Sequence, residues 1–324
     1  MKVITHEDIL NLHISPLQCY KWVDEALRKK GEEAIILPPK ISMKPFAGSF
    51  VNVMPCVTDQ SAGVKVVTRF PGRDPSLESY LMLFDRTTGK ALAMMSADFI
   101  TTMRTGAVAA HSIMLLAKKD FRTVAVMGLG CVTYATMQVL LALYPQRALH
   151  IKVLRYKNQH IEFIERFQCY SHLTFEVVNT PDELANDSDV IISGVTYLPD
   201  DVCSDASFSK GVLLVPIHTQ GFKNCDLFFD KVFGDDYSHI KGFKYFSQFH
   251  SFAEVADVLA GKAKGRENDE ERIIAYNIGI SLHDTYFAEK IYDLLKDNLQ
   301  LSEIDLKPPK EKMWLKIEQE DSQP

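Results

Sequence analysis

Short apolar runs rich in β-branched residues alternate with longer stretches of helical periodicity between about residues 122 and 235. This alternation predicts strands separated by helices, as in a βαβ domain. The runs are apolar at nearly every position, which is typical of parallel strands that helices cover on both faces. The predicted strands are Thr123 to Met127, Ile151 to Leu154, Thr174 to Val178, Val190 to Ser193 and Val212 to Ile217, and the longer predicted helices are about Val132 to Leu143 and His160 to Gln168.

Residues before about 120 follow a different pattern, with strand-like runs separated by turns that contain Pro and Gly. The segment Asp85 to Gly89 predicts a hairpin loop, because its Gly suits positive φ. A strongly apolar helix from Ile100 to Lys118 should link this α+β unit to the βαβ region, and a further helix is predicted from about Arg272 to Leu295. We expect the polar last ~23 residues to form a surface tail. The predicted strands of this unit are Ser49 to Met54, Gly63 to Thr68, Tyr80 to Asp85 and Ala91 to Met95.

Composition excludes several broad classes of protein. Hydrophobic residues make up 46% and charged residues 24% of the 324 residues, which argues against disorder and against a coiled coil. The net charge of -6 gives no overall attraction to nucleic acid or to a membrane surface. The charged N-terminus does not resemble a secretory signal, and no uninterrupted apolar run approaches the ~18 residues of a membrane span, so we expect a cytoplasmic protein. Six scattered cysteines without a CxxC pair predict reduced thiols and no metal site.

The predicted strand that ends at Met127 leads into Gly128-Leu129-Gly130 and then into a helix. This is the context of a dinucleotide-binding turn, in which the first Gly permits the tight turn and the second lets the backbone approach a pyrophosphate at the helix N-terminus. The third position of the fingerprint holds Thr133, where Gly or Ala normally permits close packing, so the motif is imperfect. The predicted cofactor site comprises Thr105, Gly128, Leu129, Gly130, Cys131, Val132, Gly194 and Val195.

The end of the second predicted strand bears on which nucleotide binds. NAD-binding proteins commonly carry an acidic residue about 20 positions after the fingerprint, where it holds the ribose hydroxyls. That place holds Leu154-Arg155-Tyr156-Lys157. Arg155 or Lys157 would pair with a 2′-phosphate and Tyr156 would flank the adenine, which favours NADP(H) over NAD(H). The alternative is that these are solvated charges and that NAD binds without the usual acid.

Two cations lie in apolar surroundings in the first unit. Lys65 is inside an apolar strand run, so its ammonium either turns to solvent or reaches a site, and its position alone favours solvent. Arg104 lies in the apolar helix, where an unpaired guanidinium is costly, so it needs an anion from the protein or from a ligand. Together with Lys40, these residues are candidates for binding a small anionic substrate.

The chain resembles the ornithine cyclodeaminase and mu-crystallin family over nearly its whole length, in segments that occur in the same order. The matching segments are Met54-Pro55, Gly63-Val64-Lys65, Pro71, Ile100 to Ala107, Gly128 to Gly130, Val232 to Asp236, Gly279 and Asp284. The resemblance implies an α/β fold with a Rossmann-type doubly wound parallel sheet over residues 120–271 that binds a nicotinamide nucleotide. It further implies an α+β substrate-binding and dimerisation domain over residues 1–119 and 272–324, a homodimer, and a small amino or imino acid with a carboxylate as the substrate.

Family roles can be carried over to individual residues. In the cyclodeaminases, bound NAD takes a hydride from L-ornithine and returns it to a cyclic imine, which gives L-proline and ammonia. The resemblance implies that Lys65 and Arg104 hold the substrate carboxylate, that Lys65 also polarises the imine or relays a proton, and that Lys40 replaces a carboxylate-binding Arg. Gln220 falls where the cyclodeaminases carry an acidic residue that meets the ornithine amine, and Gln cannot act as a base. Nearby His218 is either a proton-transfer group or a structural residue.

These features leave three functions open. The family resemblance favours a cyclodeaminase-like enzyme. The missing acid and the expected NADP(H) preference favour an NADPH-dependent ketimine reductase or a dehydrogenase of N-substituted amino acids, which needs only the cations and a proton donor. A mu-crystallin-like binding protein would keep the same pocket and hold a small acid without converting it.

Overall fold

A computed structural model describes residues 1–306 except Glu33, Tyr197 and Thr219. The first part of the chain forms a six-stranded sheet in the order β1-β6-β5-β4-β3-β2, in which only the β1 and β6 pair is parallel. The predicted hairpin loop is confirmed, since Gly89 has φ +68° and the Asp85 carboxylate accepts backbone N–H groups within the loop. The elements are β1 (Lys2–Ile4), α1 (His6–Leu10), α2 (Pro16–Lys29), β2 (Ile41–Met43), β3 (Phe50–Val57), β4 (Ser61–Arg69), β5 (Leu77–Asp85), β6 (Ala91–Ser96) and α3 (Asp98–Leu116).

The second part forms an eight-stranded, entirely parallel sheet in the order β13-β12-β14-β11-β10-β7-β8-β9. From β7 the chain winds through β8 and β9 on one side and through β10 and β11 on the other, so the strand order reverses between β7 and β10. The predicted α/β class is confirmed. The elements are β7 (Thr123–Met127), α4 (Cys131–Leu143), β8 (Leu149–Leu154), α5 (Gln159–Phe167), β9 (Leu173–Val178), α6 (Pro181–Ala185), β10 (Val190–Ser193), β11 (Leu213–Pro216), β12 (Lys231–Gly234), α7 (Tyr237–Ile240), β13 (Phe252–Glu254), α8 (Val255–Leu259), β14 (Ile273–Tyr276) and α9 (Ser281–Leu295).

The prediction of one helix from Arg272 to Leu295 is wrong in its first third. Residues Ile273–Tyr276 form β14, which pairs with β11 and β12 in the parallel sheet. The run is two isoleucines, an alanine and a tyrosine, all buried, and it is too short to show a strand period. Gly279, at φ +87°, then turns the chain into α9. The parallel sheet therefore takes one strand from within the 272–324 range that was assigned to the other domain.

Helix α9 returns to the first sheet and packs on β4. The contact is close at Gly63, where a Cβ atom would lie 2.4 Å from the Thr285 hydroxyl oxygen. Along β4 the residues that face α9 are buried, namely Ser61, Gly63, Lys65 and Val67. The position of Lys65 on this inner face is the opposite of the solvent-facing orientation that its sequence position favoured.

Helix α3 lies between the two sheets. It is long and apolar enough to cross a membrane by length and composition, but most of it is buried inside the protein, as in the core helix of a folded domain. At Gly106 a Cβ atom would lie 2.6 Å from the backbone of Ala135 in α4. The N-terminal half of α3 therefore contacts the start of α4 directly, which brings Arg104 close to the edge of the parallel sheet.

All six cysteines are free thiols, as predicted. Four of them are buried, and burial raises the pKa of Cys19, Cys56 and Cys203 to about 12, so these thiols are protonated at neutral pH. The predicted polar tail lies outside the described residues beyond position 306. Its first residues run beside β1, where the Val3 amide donates to the Ser302 carbonyl.

Candidate functional site

The turn after β7 has the geometry that a dinucleotide site requires. Gly128 has φ +72°, and a Cβ atom there would lie 2.3 Å from the amide nitrogen of Val195. Gly130 is exposed, and no atom of the described residues lies within 4 Å of a Cβ built on it. It is the N-cap of α4, and within the described part of the chain no side chain caps this helix end. The turn therefore presents an open helix N-terminus at the carboxyl edge of the sheet, which is where such folds bind phosphates.

Thr133, at the imperfect position of the fingerprint, is accommodated by a glycine on the neighbouring strand. Its hydroxyl donates to the Gly128 carbonyl at 2.6 Å. A Cβ atom on Gly194, directly after β10, would lie 2.3 Å from that hydroxyl oxygen. Gly194 thus provides the space that a small residue at position 133 would otherwise give. The predicted residue Val195 borders the same turn, whereas the Thr105 hydroxyl donates to the Thr101 carbonyl within α3.

The predicted nucleotide-selecting residues follow β8 at the same edge. Arg155 is exposed, and its Nε donates to the Asn179 side-chain oxygen at 2.9 Å. Tyr156 is 56% exposed, and Lys157 adopts the left-handed conformation with φ +48°. No ion pair among the described residues uses Arg155 or Lys157. Both cations are therefore available to an anionic ligand.

A buried charge cluster lies between the first sheet and the edge of the second. Lys65 and Asp284 have no exposed side-chain surface, and the Lys65 ammonium donates to Asp284 Oδ1 at 2.7 Å. Arg104 Nε donates to the same oxygen at 2.8 Å. Arg104 therefore has the buried anion that the sequence required, and the protein supplies it.

The remaining atoms of this cluster are unused. Among the described residues, no hydrogen bond uses the two terminal nitrogens of Arg104, and Asp284 Oδ2 has no partner. The Arg104 guanidinium packs on Gly279, where a Cβ atom would lie 2.5 Å from Nη1. Asp284 thus fixes the guanidinium by its Nε, and the terminal edge is left free for bidentate contact with a carboxylate.

Burial and mutual repulsion set the protonation of the cluster. Burial, reinforced by the Arg104 charge, lowers the pKa of Lys65 to about 7, against the attraction of Asp284. Burial alone would raise the pKa of Asp284, but Arg104 and Lys65 outweigh it and hold that pKa below its usual value. Asp284 is therefore ionised at neutral pH, and Lys65 exchanges its proton there.

Lys40 completes the group of three predicted cations. Its ammonium donates to the Ile278 carbonyl at 3.3 Å, in the turn between β14 and α9. Burial lowers its pKa, partly offset by the nearby Asp235 carboxylate. Asp235 accepts the Gly279 N–H through Oδ2, and its Oδ1 has no partner among the described residues. The structure thus brings Lys40, Lys65 and Arg104 to one place.

His218 and Gln220 lie in the loop after β11, at the carboxyl edge. His218 Nε2 is 2.6 Å from the Ser193 hydroxyl, and the Gln220 amide donates to His218 Nδ1 at 3.4 Å. Burial lowers the pKa of His218 to about 4, so the imidazole is neutral at pH 7 with both nitrogens engaged by the protein. Gln220 is exposed.

Sequence reasoning missed the function of two residues. Asp284 was noted in the family pattern without a role, and the local sequence gives no signal for it, because the same helix also carries Glu289, Lys290 and Asp293. Ser193 provides the hydroxyl that contacts His218 Nε2, but it lies in an apolar strand run, where nothing in the sequence indicates a chemical role. Within the described part of the chain, no three His, Cys, Asp or Glu side chains come together as metal ligands.

The sequence profile of the ornithine cyclodeaminase/mu-crystallin family matches residues 2–298. The nodulation efficiency protein NfeD of Rhizobium meliloti is 24% identical over 304 residues, covering 90% of this chain and 94% of that protein. The delta(1)-pyrroline-2-carboxylate reductase of Bacillus cereus is 26% identical over 322 residues, covering 90% and 96%. An archaeal alanine dehydrogenase, solved as a dimer with bound NAD, has the same fold, with a TM-score of 0.84, 22% identity and coverage of 95% and 99%.

Proposed function

The chain belongs to the ornithine cyclodeaminase/mu-crystallin family, and from this premise we propose that it is a nicotinamide-dependent reductase of small imino acids. The proposal rests on one observation above all. Asp284 holds the Arg104 guanidinium through Nε, and the terminal edge of that group lies near Lys40 and has no hydrogen-bond partner among the described residues. A carboxylate bound there would sit beside the carboxyl edge of the parallel sheet, where the phosphate-binding turn lies.

The residues around that turn fit a nicotinamide nucleotide. Gly128 and Gly194 leave space that a Cβ atom would fill, and the uncapped N-terminus of α4 suits a pyrophosphate. Arg155 and Lys157 suit a 2′-phosphate, which supports NADP(H) over NAD(H). When bound in its reduced form, the nucleotide supplies a hydride to the imine carbon, and a proton added at the nitrogen completes the amine. Arg104 and Lys40 contribute by orienting the carboxylate so that the imine carbon faces the nucleotide.

The proton is the second requirement of the reaction. Lys65, with a pKa of about 7, is the group of the cluster whose charge changes near neutral pH, which is the property of an efficient acid or base there. His218 lacks that property, since its pKa lies near 4 and both ring nitrogens are bonded. We therefore assign the role of proton donor to Lys65 and a structural role to His218.

Net reduction is favoured over ornithine cyclodeamination by the loop after β11. Cyclodeamination needs an anion that recognises the second amine, and Gln220 carries no charge. No carboxylate among the described residues lines the cavity that Gln220 borders. The name of the Bacillus cereus relative supports the same choice, because its substrate is a cyclic imine with a carboxylate.

A homodimer completes the proposal. The face of the first sheet that points away from α9 is apolar and open, with Ile41 58%, Met43 47%, Tyr80 49% and Met94 38% exposed. Such a continuous apolar patch is typical of an interface. We propose that a second copy of the chain covers it, and a Tyr80→Glu variant should then sediment as a monomer.

The test of the proposed reaction is the oxidation of NADPH or NADH in the presence of a cyclic imine that carries a carboxylate, Δ1-pyrroline-2-carboxylate or Δ1-piperideine-2-carboxylate. We expect turnover with NADPH preferred. Arg104→Met should reduce kcat/KM by about 100-fold or more, because a charge-assisted bidentate contact is lost. Arg73→Met is the matched control, since Arg73 lies on a surface turn of the same unit, and it should leave turnover unchanged.

A binding protein without activity gives a different result. It would bind the nucleotide and the imino acid in calorimetry and leave NADPH unoxidised with every imine tested. That result would refute the proposed enzymatic activity but would still support the proposed binding site.

A further inference from the structure

A cavity of about 320 Å³ lies between the two domains, beside the loop after β11. The first domain contributes β2, the following loop, the start of β3 and the end of β4, and the second contributes residues after β10 and β11. Described residues that line it include Gln220 and His218, and the His218 ring contacts Ser193, which directly precedes the predicted nucleotide-site residue Gly194. The cavity is thus placed to hold the part of a substrate that lies beyond its reacting carbon.

Two cations line this cavity, and no carboxylate among the described residues does. Lys44, in the loop after β2, is exposed and makes no hydrogen bond or ion pair with any described residue. Arg69, the last residue of β4, donates from Nη1 to the Gly48 carbonyl at 3.0 Å and has no described acidic partner. Ser42, Ser49 and Gln220 add neutral polar groups around the two charges.

The spacing along β4 separates these cations from the carboxylate site. Arg69 follows Lys65 by four residues on the same face of the strand, which is about 13 Å along its axis. Both side chains are long, so their charged ends can lie closer together than their backbone positions. A small molecule with an anionic group at each end can therefore link the two regions. The far end meets positive charge here, whereas an ornithine-like amine would meet repulsion.

We propose that the substrate is an imino or amino acid with a second carboxylate, and that Lys44 and Arg69 bind that second carboxylate. This inference rests on the proposed function for the position of the reacting carbon. It adds the class of substrate and assigns two specificity residues. Gln220, which faces the same cavity, can donate a hydrogen bond to the second carboxylate.

The test compares ligands that are alike at the reacting end and differ at the far end: L-glutamate, L-norvaline and L-ornithine. Each is titrated calorimetrically into the protein saturated with NADPH, a combination in which both partners are reduced and no turnover occurs. We expect L-glutamate to bind about 10- to 100-fold more tightly than L-norvaline, and L-ornithine to bind most weakly. The preference should fall as ionic strength rises.

Variants separate recognition from folding. Lys44→Met removes an ammonium that has no hydrogen bond or ion pair with any described residue, so the variant should fold normally. It should reduce the preference for L-glutamate by about 10-fold without changing L-norvaline binding. Arg69→Gln should act in the same direction, but it also removes the bond to Gly48. Lys119→Met, at the opposite edge of the parallel sheet, is the matched control and should change nothing.

Two results would overturn the inference. One is L-norvaline or L-ornithine binding as tightly as L-glutamate to the unaltered protein. The other is an equal loss for L-glutamate and L-norvaline in Lys44→Met. Because binding is measured without turnover, the reductase proposal can fail separately. In that case the protein would still prefer L-glutamate, but no imine would oxidise NADPH, including the imine formed from 2-oxoglutarate and ammonium.

Discussion

Replacing Asp284 by Asn tests the charge cluster at its centre. The substitution keeps the size of the side chain and removes the carboxylate charge that pairs with both Lys65 and Arg104, at 2.7 and 2.8 Å. At an effective dielectric constant of about 20, each attraction is worth about 6 kcal/mol before the cost of desolvation. Measured losses for breaking a buried ion pair are about 3–5 kcal/mol. We expect a loss at the lower end of that range at pH 8, because Lys65 can lose its proton.

The sign of the pH dependence follows from the Lys65 pKa. In the folded protein that pKa is about 7, far below the ordinary value of 10.5, so the unfolded chain binds more protons between these values and stability rises with pH. Without Asp284 the pKa falls further, since Arg104 and Lys40 both repel the ammonium. In the variant the rise in stability therefore begins at a lower pH. The difference between the two proteins should be largest near pH 5.5 and become constant above about pH 7.

The assay is urea denaturation of both proteins at pH 5.5 and pH 8. Asp293→Asn is the matched control, because it is the same substitution on an exposed residue of the same helix, paired only with Lys296 among the described residues. The double variant Asp284→Asn with Lys65→Met should recover part of the lost stability, since one unpaired cation is gone. Equal stability of the Asp284 and Asp293 variants, or no recovery in the double variant, would refute the reasoning.

Three further predictions concern the nucleotide site and acid stability. Gly194→Ala should weaken nucleotide binding about 10-fold or more by forcing Thr133 aside, and adding Thr133→Ala should restore it; unchanged affinity in the single variant would contradict the proposed packing. Arg155→Gln should raise the KM for NADPH about 10-fold and leave that for NADH unchanged, and an equal change in both would exclude a 2′-phosphate contact. Burial lowers the pKa of His283 to about 3, so the free energy of unfolding should fall by about 1.4 kcal/mol per pH unit as the pH drops below 6.5. Denaturation of His283→Leu should show a smaller dependence of that free energy on pH, and an identical dependence would contradict this.

Much of the parallel sheet could be predicted because its strands are short apolar runs that alternate with helical stretches. Thr123–Met127 and Val190–Ser193 match the predicted bounds, and the Gly128 turn lies where the fingerprint placed it. The strand Ile273–Tyr276 was missed because four apolar residues before a helix fit either structure. Pairing with β11 and β12 in the tertiary structure makes this run a strand, and the local sequence pattern does not reveal that pairing.

The orientation of Lys65 could not be predicted from its strand. Lys65 shares its face of β4 with the polar residues Ser61 and Arg69, whereas the opposite face carries valines, so alternation predicts that the Lys65 face is exposed. The buried orientation of Lys65 depends on its ion pair with Asp284, which lies 219 residues away in the sequence. The need of Arg104 for an anion was predictable from burial alone, but the choice of Asp284 was not, because it depends on α9 returning to the first sheet. The cytoplasmic location and the domain bounds stay predictions.

The stoichiometry of product to nucleotide tests the central claim most directly. Purified protein is incubated with substoichiometric nucleotide, either with L-ornithine and NAD+ or NADP+, or with an imino acid and NADPH, and the amino acid formed is quantified. Net reduction predicts one amino acid per NADPH from the imine and no proline from L-ornithine. Proline in excess of the added nucleotide, together with an equal amount of ammonia, would contradict the account and establish cyclodeamination.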